Sequence, residues 1–185
     1  MRPQDGKDKI LNAALTLFAT NGYHTTSVSQ IAEAAKVSKG LTYNYFDSKE
    51  ALLLAIIERA SDTMMAVASE MAANAGYQIR LRDFLDHYGK SLKANSQFFT
   101  FQLSLMFQPD LRAIVKDPMQ NRAEQLLAKT ATMFAQSGAQ EPLIIARRFI
   151  SELDGISLHY LSVFKDYPLD QMLIQLYQNY KELSR

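Results

Sequence analysis

The chain has 185 residues, with 20 Lys and Arg against 19 Asp and Glu, so its net charge of +1 gives no global electrostatic pull toward nucleic acid or an anionic membrane. With no cysteine, disulfides, thiol catalysis and thiolate metal sites are excluded, and a cytoplasmic home is the expectation. An apolar share of 48% and a charged share of 21% suit a soluble globular chain, and no apolar run nears the roughly 20 residues of a membrane span. The opening "MRPQDGKDK" lacks the apolar stretch of a secretory signal.

Gly22, Gly40, Gly76, Pro109, Pro118, Gly138, Pro142 and Pro168 divide the chain into segments that mostly have helix length. Between them apolar residues recur at spacings of three and four rather than two, which predicts an all-α fold of about nine helices. A first helix carries Ile10, Ala14, Leu17 and Phe18 and stops at Gly22, which suits the position after a helix end. Ser27 and Gln30 then have the spacing of a capping box, so a second helix starts there with Val28, Ile31, Ala32 and Ala35 inward.

The turn "KVSKG" follows, and Ser38 can cap a third, short helix, "KGLTYNYF". Two short helices joined by a tight turn behind a longer one form a helix-turn-helix at about residues 27–46, whose last helix enters the DNA major groove. On that reading Leu41 and Phe46 pack inward while Lys39, Thr42, Tyr43 and Tyr45 project toward DNA, where hydroxyls and an ammonium can meet phosphates and base edges. "DSKE" starts a fourth helix with Asp47 or Ser48 as cap, placing Lys49 in its first turn. A cation is disfavoured there by the helix dipole unless a phosphate sits over the helix start.

The run from Ile10 to Leu53 combines an Ala-Ala and a Leu-Phe pair, a Gly, a Thr/Ser-Val start, Ile-Ala, Val-Ser-x-Gly, Tyr-x-Tyr-Phe and Lys-Glu-x-Leu. It closely resembles the amino-terminal region of TetR-family transcriptional regulators. The resemblance implies a three-helix DNA-binding head, residues 4–64, on a helical ligand-binding and dimerisation body, residues 65–185. It further implies an inverted-repeat operator, a homodimer and release from DNA by a small effector, with no cofactor. Carried over, the DNA contacts are Ser27, Ser29, Lys39, Thr42, Tyr43, Tyr45 and Lys49. The order Gly-Leu-Thr-Tyr departs from the more usual Gly-Thr-Leu-Tyr, so Leu41 and Thr42 can exchange inward and outward roles.

Beyond Leu53 only the physical pattern speaks. "SQFFTFQLSLMFQ" is apolar on all sides, as a buried helix is, and neighbouring segments are rich in methionine and aromatics. In the setting of a ligand-responsive family, Met64, Met65, Phe84, His87, Tyr88, Phe101, Gln102, Met106, Met133 and Phe134 are candidates to line a pocket for a hydrophobic or aromatic effector. Asp83 and His87 share a helix face, where a simple hydrogen bond is expected. The last two helices, Pro142 to Lys165 and Pro168 to Leu183, carry long apolar stripes. Phe149, Leu153, Ile156, Tyr160 and Phe164 lie on one, and Leu169, Met172, Leu173, Leu176 and Tyr180 on the other. These are candidates for a four-helix dimer interface.

Catalysis is not expected. Three histidines, no glycine-rich phosphate loop behind a strand and no nucleophile elbow leave the usual constellations incomplete. Asp154, Ser157 and His159 are close in sequence but point in different directions from one helix.

Overall fold

The computed structural model describes residues 3–70 and 75–182, with side chains described for 5–59 and 75–182. Within these bounds the chain forms nine α-helices and no strand. They are α1 (Pro3–Asn21), α2 (Val28–Ala34), α3 (Lys39–Tyr45), α4 (Lys49–Glu70), α5 (Tyr77–Ala94), α6 (Ser96–Met106), α7 (Pro109–Ala135), α8 (Pro142–Leu158) and α9 (Leu169–Tyr180). The side chains of Met64 and Met65, and Leu183, lie outside the described residues.

Two departures from the expected elements stand out. Pro118 does not end a helix, because α7 runs through it from Pro109 to Ala135, the ring removing one backbone donor without stopping the helix. The stripe expected to stay α-helical to Lys165 leaves that geometry at His159, where residues His159–Val163 form a π-helical turn closed by Phe164 N–H donating to His159 O at 3.1 Å. The widened turn brings the rings of His159, Phe164 and Tyr167 within 5.3 to 6.2 Å of one another.

The chain divides into two compact units. The first takes residues up to Ser61 together with Gln97–Met119, so most of α6 and the start of α7 join the three-helix head. Its core is built from Ile10, Leu11, Ala14, Phe18, Ile31, Leu52, Leu53, Ile56 and Ile57, all buried. Phe18 stacks on Phe101 of α6 at 6.1 Å and tilts against Tyr23 at 5.0 Å. Arg59 of α4 donates to Asn12 Oδ1 of α1 at 2.8 Å, tying the long helix to the first.

The second unit, Asp62–Ser96 with residues from Gln120 onward, is organised by rings. Phe134 contacts Phe149 at 5.4 Å and Tyr180 at 5.6 Å, Phe149 contacts Tyr180 at 5.1 Å, and Phe84 contacts Phe149 at 5.8 Å. Edge-on and tilted pairs of this kind add to what ring burial alone contributes. Helices α5 and α9 cross where Gly89 meets Leu173, so closely that a Cβ on Gly89 would stand 2.7 Å from Leu173 Cδ1. Each buried hydroxyl in this core finds a partner. Tyr77 donates to Tyr180 O at 2.6 Å, Tyr180 to Glu152 Oε1 at 2.9 Å, and Tyr88 and Ser157 share a bond of 2.5 Å while Ser157 also donates to Leu153 O.

Burial raises the phenols of Tyr77 and Tyr180, and raises that of Tyr88 from 10.0 to about 12, with the Ser157 bond opposing part of the effect. The folded chain therefore holds protons that the unfolded chain releases near pH 10. The stability linked to Tyr88 is full below that pH and is lost as pH rises through about 12. Denaturant midpoints measured in steps from pH 8 to 12 should fall above pH 10, and in Tyr88→Phe the fall should be smaller.

Candidate nucleic-acid interface

The turn-rich stretch Gly22–Phe46 is fixed by local chemistry. Gly22 adopts φ +89°, a conformation that favours glycine, and lets the chain leave α1. At the start of α2, Ser27 Oγ accepts from Gln30 N–H at 3.3 Å and Gln30 Oε1 accepts from Ser27 N–H at 2.8 Å, the capping box the sequence announced. The helix ends in a left-handed residue, Lys36, at φ +55°. Val37 N–H donates to Ala32 O at 3.0 Å and Lys36 N–H to Glu33 O at 3.0 Å, so the turn closes as a Schellman motif. Ser38 then caps α3, its Oγ accepting from Leu41 N–H at 3.1 Å.

These caps decide which side of α3 faces out. Lys39, Gly40, Tyr43 and Asn44 are exposed and form one stripe, while Thr42 and Phe46 are buried and Leu41 and Tyr45 are half-buried. Thr42 is therefore an inward residue at 0% exposure, its hydroxyl donating to Ser38 O at 3.4 Å, and the outward role assigned to it is corrected. Tyr45 lies against α1, with its hydroxyl 3.4 Å from where a Cβ on Gly6 would stand. Ser27 and Ser29 are exposed at the start of α2. Lys39 Nζ stands 5.9 Å from the centroid of the Tyr43 ring, a weak cation–π contact that holds both groups on the outer face.

Asn44 was missed by sequence reasoning. Its place one residue beyond Tyr43 on a helix whose inward pair is Thr42 and Phe46 puts it in the exposed stripe, and an exposed asparagine can pair with adenine through two hydrogen bonds. Gly40 lies on the same stripe, and a Cβ there would meet only Ser38 Oγ, at 4.0 Å.

Lys49 stands in the first turn of α4, as its spacing predicts. Ser48 is the cap of α4, accepting from Ala51 N–H at 3.0 Å. The Lys49 ammonium donates to Tyr23 O at 2.8 Å, Thr26 O at 3.0 Å and His24 O at 3.3 Å, and sits 4.4 Å from the centroid of the Tyr23 ring. The side chain thus turns onto the α1–α2 loop. On the same loop, His24 Nε2 lies 2.7 Å from Asp110 Oδ2 of α7, and the buried Thr26 donates to Gly22 O at 2.8 Å.

Residues 10–56 match the family model described as bacterial regulatory proteins, tetR family. The amino-terminal region is a TetR-family head. Among curated proteins, the uncharacterized HTH-type transcriptional regulator YuxN of Bacillus subtilis is 30% identical over 82% of this chain and 52% of its own length. HbdR, an HTH-type transcriptional regulator of an Aromatoleum species, is 26% identical over 76% of this chain and 62% of its own. The chain thus spans about half to three-fifths of the length of these curated relatives. Among solved structures, GusR of Salmonella enterica superposes with a TM-score of 0.78 at 22% identity, covering 99% of this chain and 97% of that one. Likeness at that identity carries the fold alone.

The candidate pocket residues are divided between the two units. Phe101, Gln102 and Met106 belong to the first unit, where Phe101 packs on Phe18 and Met106 is 52% exposed. Phe84, His87, Tyr88, Met133 and Phe134 belong to the second, with Phe134 and Tyr88 buried in the ring cluster and Phe84, His87 and Met133 half-buried. The candidate interface residues also divide. Phe149, Leu153, Ile156, Leu169, Leu173, Leu176 and Tyr180 are each at most 6% exposed within one chain, so they are its own core and are removed from the interface. Tyr160 and Met172 are half-buried and Phe164 is 54% exposed.

The Ser38 cap holds the exposed stripe of the TetR-family head in place. Ser38→Ala should destabilise the protein by about 1 kcal/mol in chemical denaturation, the usual cost of a lost serine cap.

Proposed function

We propose that the protein is a sequence-specific DNA-binding transcriptional regulator that acts as a repressor, reads an inverted-repeat operator as a homodimer, and is released by a small effector. The observation that carries this reading is the exposed stripe Lys39, Gly40, Tyr43 and Asn44 on a capped, seven-residue helix inside a TetR-family head. Exposed tyrosine, asparagine and lysine at helical spacing on α3 offer the donors, acceptors and ring faces that base edges and phosphates need. Such a helix in the major groove, with α2 crossing the backbone, is the usual helix-turn-helix docking.

Support for a dimer comes from the outer side of α8. Ile144 is 58% exposed and Leu158 is 39% exposed, with Leu143, Val163 and Phe164 exposed beside them. Between these apolar ends Ser151 is exposed and Gly155 has open space over its Cα, so another helix can come close. A two-fold axis near Ser151 would set Ile144 of one copy against Leu158 of the other and Arg148 against Asp154, an isologous pairing in both shape and charge. The effector we assign to the second unit is hydrophobic or aromatic, entering beside the half-buried Phe84, His87 and Met133.

Selection of duplexes from a random library by the purified protein at about 150 mM salt tests the reading. Recovery of an inverted repeat is expected, and the absence of any enriched sequence would contradict it. On the recovered duplex, Tyr43→Ala and Asn44→Ala should each weaken binding about 5- to 150-fold, the range for a lost base contact. In sedimentation, Ile144→Asp should shift a dimer toward monomer.

A further inference from the structure

Among the described residues one buried side-chain nitrogen lacks a hydrogen-bond partner, the Nε of Arg80 on α5. A guanidinium stays charged and carries five N–H donors in a planar fork. Leaving one of them dry and unpaired is costly, and native folds leave few such groups. The place where this fold bears that cost is suited to a ligand.

Phe84, His87 and Ser91 follow Arg80 at spacings of four, three and four, so the four side chains form one stripe along α5, and all four are half-buried. The adjoining face, with Leu81, Leu85, Tyr88 and Leu92, is the helix's share of the core. Gly89, on the side away from the stripe, meets Leu173 of α9, so the stripe is not the face that packs on α9. The Phe84 ring is backed by Tyr88, stacked at 6.2 Å, and by Phe149 of α8 at 5.8 Å. By helical rise, Phe84 lies about 6 Å and His87 about 10 Å along the axis from Arg80. A charged donor thus stands at one end of a short stripe that is apolar at its middle.

We propose that this stripe binds a hydrophobic carboxylic acid, with Arg80 taking the carboxylate through its Nε edge, Phe84 taking a ring or chain one turn further on, and His87 marking the far end. The inference rests on the effector-responsive reading and names the chemical class of the effector within it. The edge of a guanidinium that carries Nε–H and one Nη–H matches both oxygens of a carboxylate at once. One cation beside an apolar stripe suits a monoanion. A carboxylate there pairs the orphaned donor, and charge-assisted bonds are strongest away from water. An uncharged ligand of the same shape gives that donor a weaker partner.

The test titrates the full chain by calorimetry at about pH 7.5, where carboxylic acids are ionised, with octanoate, 3-phenylpropanoate and 2-naphthoate and with the primary amide of each. At least one acid should bind, and its amide should bind about tenfold more weakly or worse. Arg80→Met should weaken that acid by about tenfold or more. Arg80→Lys should fall between, because an ammonium keeps the charge without the fork. Phe84→Ala should weaken acid and amide alike. Arg80→Met should also melt no lower than the wild type, since it loses an unpaired donor and keeps an apolar stem. No binding by any acid, an amide that binds as tightly as its acid, wild-type affinity for the acid in Arg80→Met, or a melting temperature about 4 °C lower in that variant would overturn the proposal. An acid that binds through Arg80 and leaves affinity for the selected duplex unchanged would sink release by an effector while the binding site stands.

Discussion

The head depends on how six loop residues, Gly22 to Ser27, are kept in one conformation between two helices. A loop of this kind has carbonyls that no helix satisfies, and here the Lys49 ammonium takes three of them. Phe18 holds Tyr23 from the α1 side, and Asp110 holds His24 from α7. The exposed His24–Asp110 pair contributes little to stability by itself, since water screens it. The buried part of the arrangement, Tyr23 and Thr26, fixes where Ser27 stands and hence the direction in which α2 begins.

From there the chain follows without much freedom. The capping box sets the first turn of α2, the left-handed Lys36 and its two Schellman bonds set the last, and Ser38 starts α3 three residues after the C-cap Ala35. A left-handed non-glycine residue costs of order 1 kcal/mol or more, which the closing bonds of the turn offset. What results is a seven-residue helix with Thr42 and Phe46 inward and Lys39, Tyr43 and Asn44 outward. The aromatics of "LTYNYF" are thereby divided: Phe46 belongs to the core, Tyr45 leans on α1, and Tyr43 faces out at 43% exposure.

Much of this was legible in the sequence, because caps act over three or four residues. Ser27 with Gln30, Ser38, and the glycine at 22 are local signals, and each is found where spacing placed it. The bonds of Lys49 to its own loop were not legible, because those partners lie 23 to 26 residues away and the helix-dipole argument knows nothing of tertiary carbonyls. Thr42 was uncertain for a related reason: on so short a helix one residue of rotation moves a side chain from face to core. The last two helices show the limit of periodicity. A stripe of Phe149, Leu153 and Ile156 says that one face is buried, but not whether the cover is the same chain or a second copy. Here Phe134 and Tyr180 supply that cover, and the unsatisfied apolar surface is the less conspicuous series through Ile144, Leu158 and Phe164. The π-helical turn at His159 left no signal of its own in the sequence.

The central claim is that the outer stripe of α3 meets base edges. A crystal structure of the protein on a duplex that it selects tests it most directly. The account predicts α3 in the major groove with Tyr43 and Asn44 at base edges. An α3 held away from the groove, or one with Tyr43 and Asn44 turned from the bases, would contradict it.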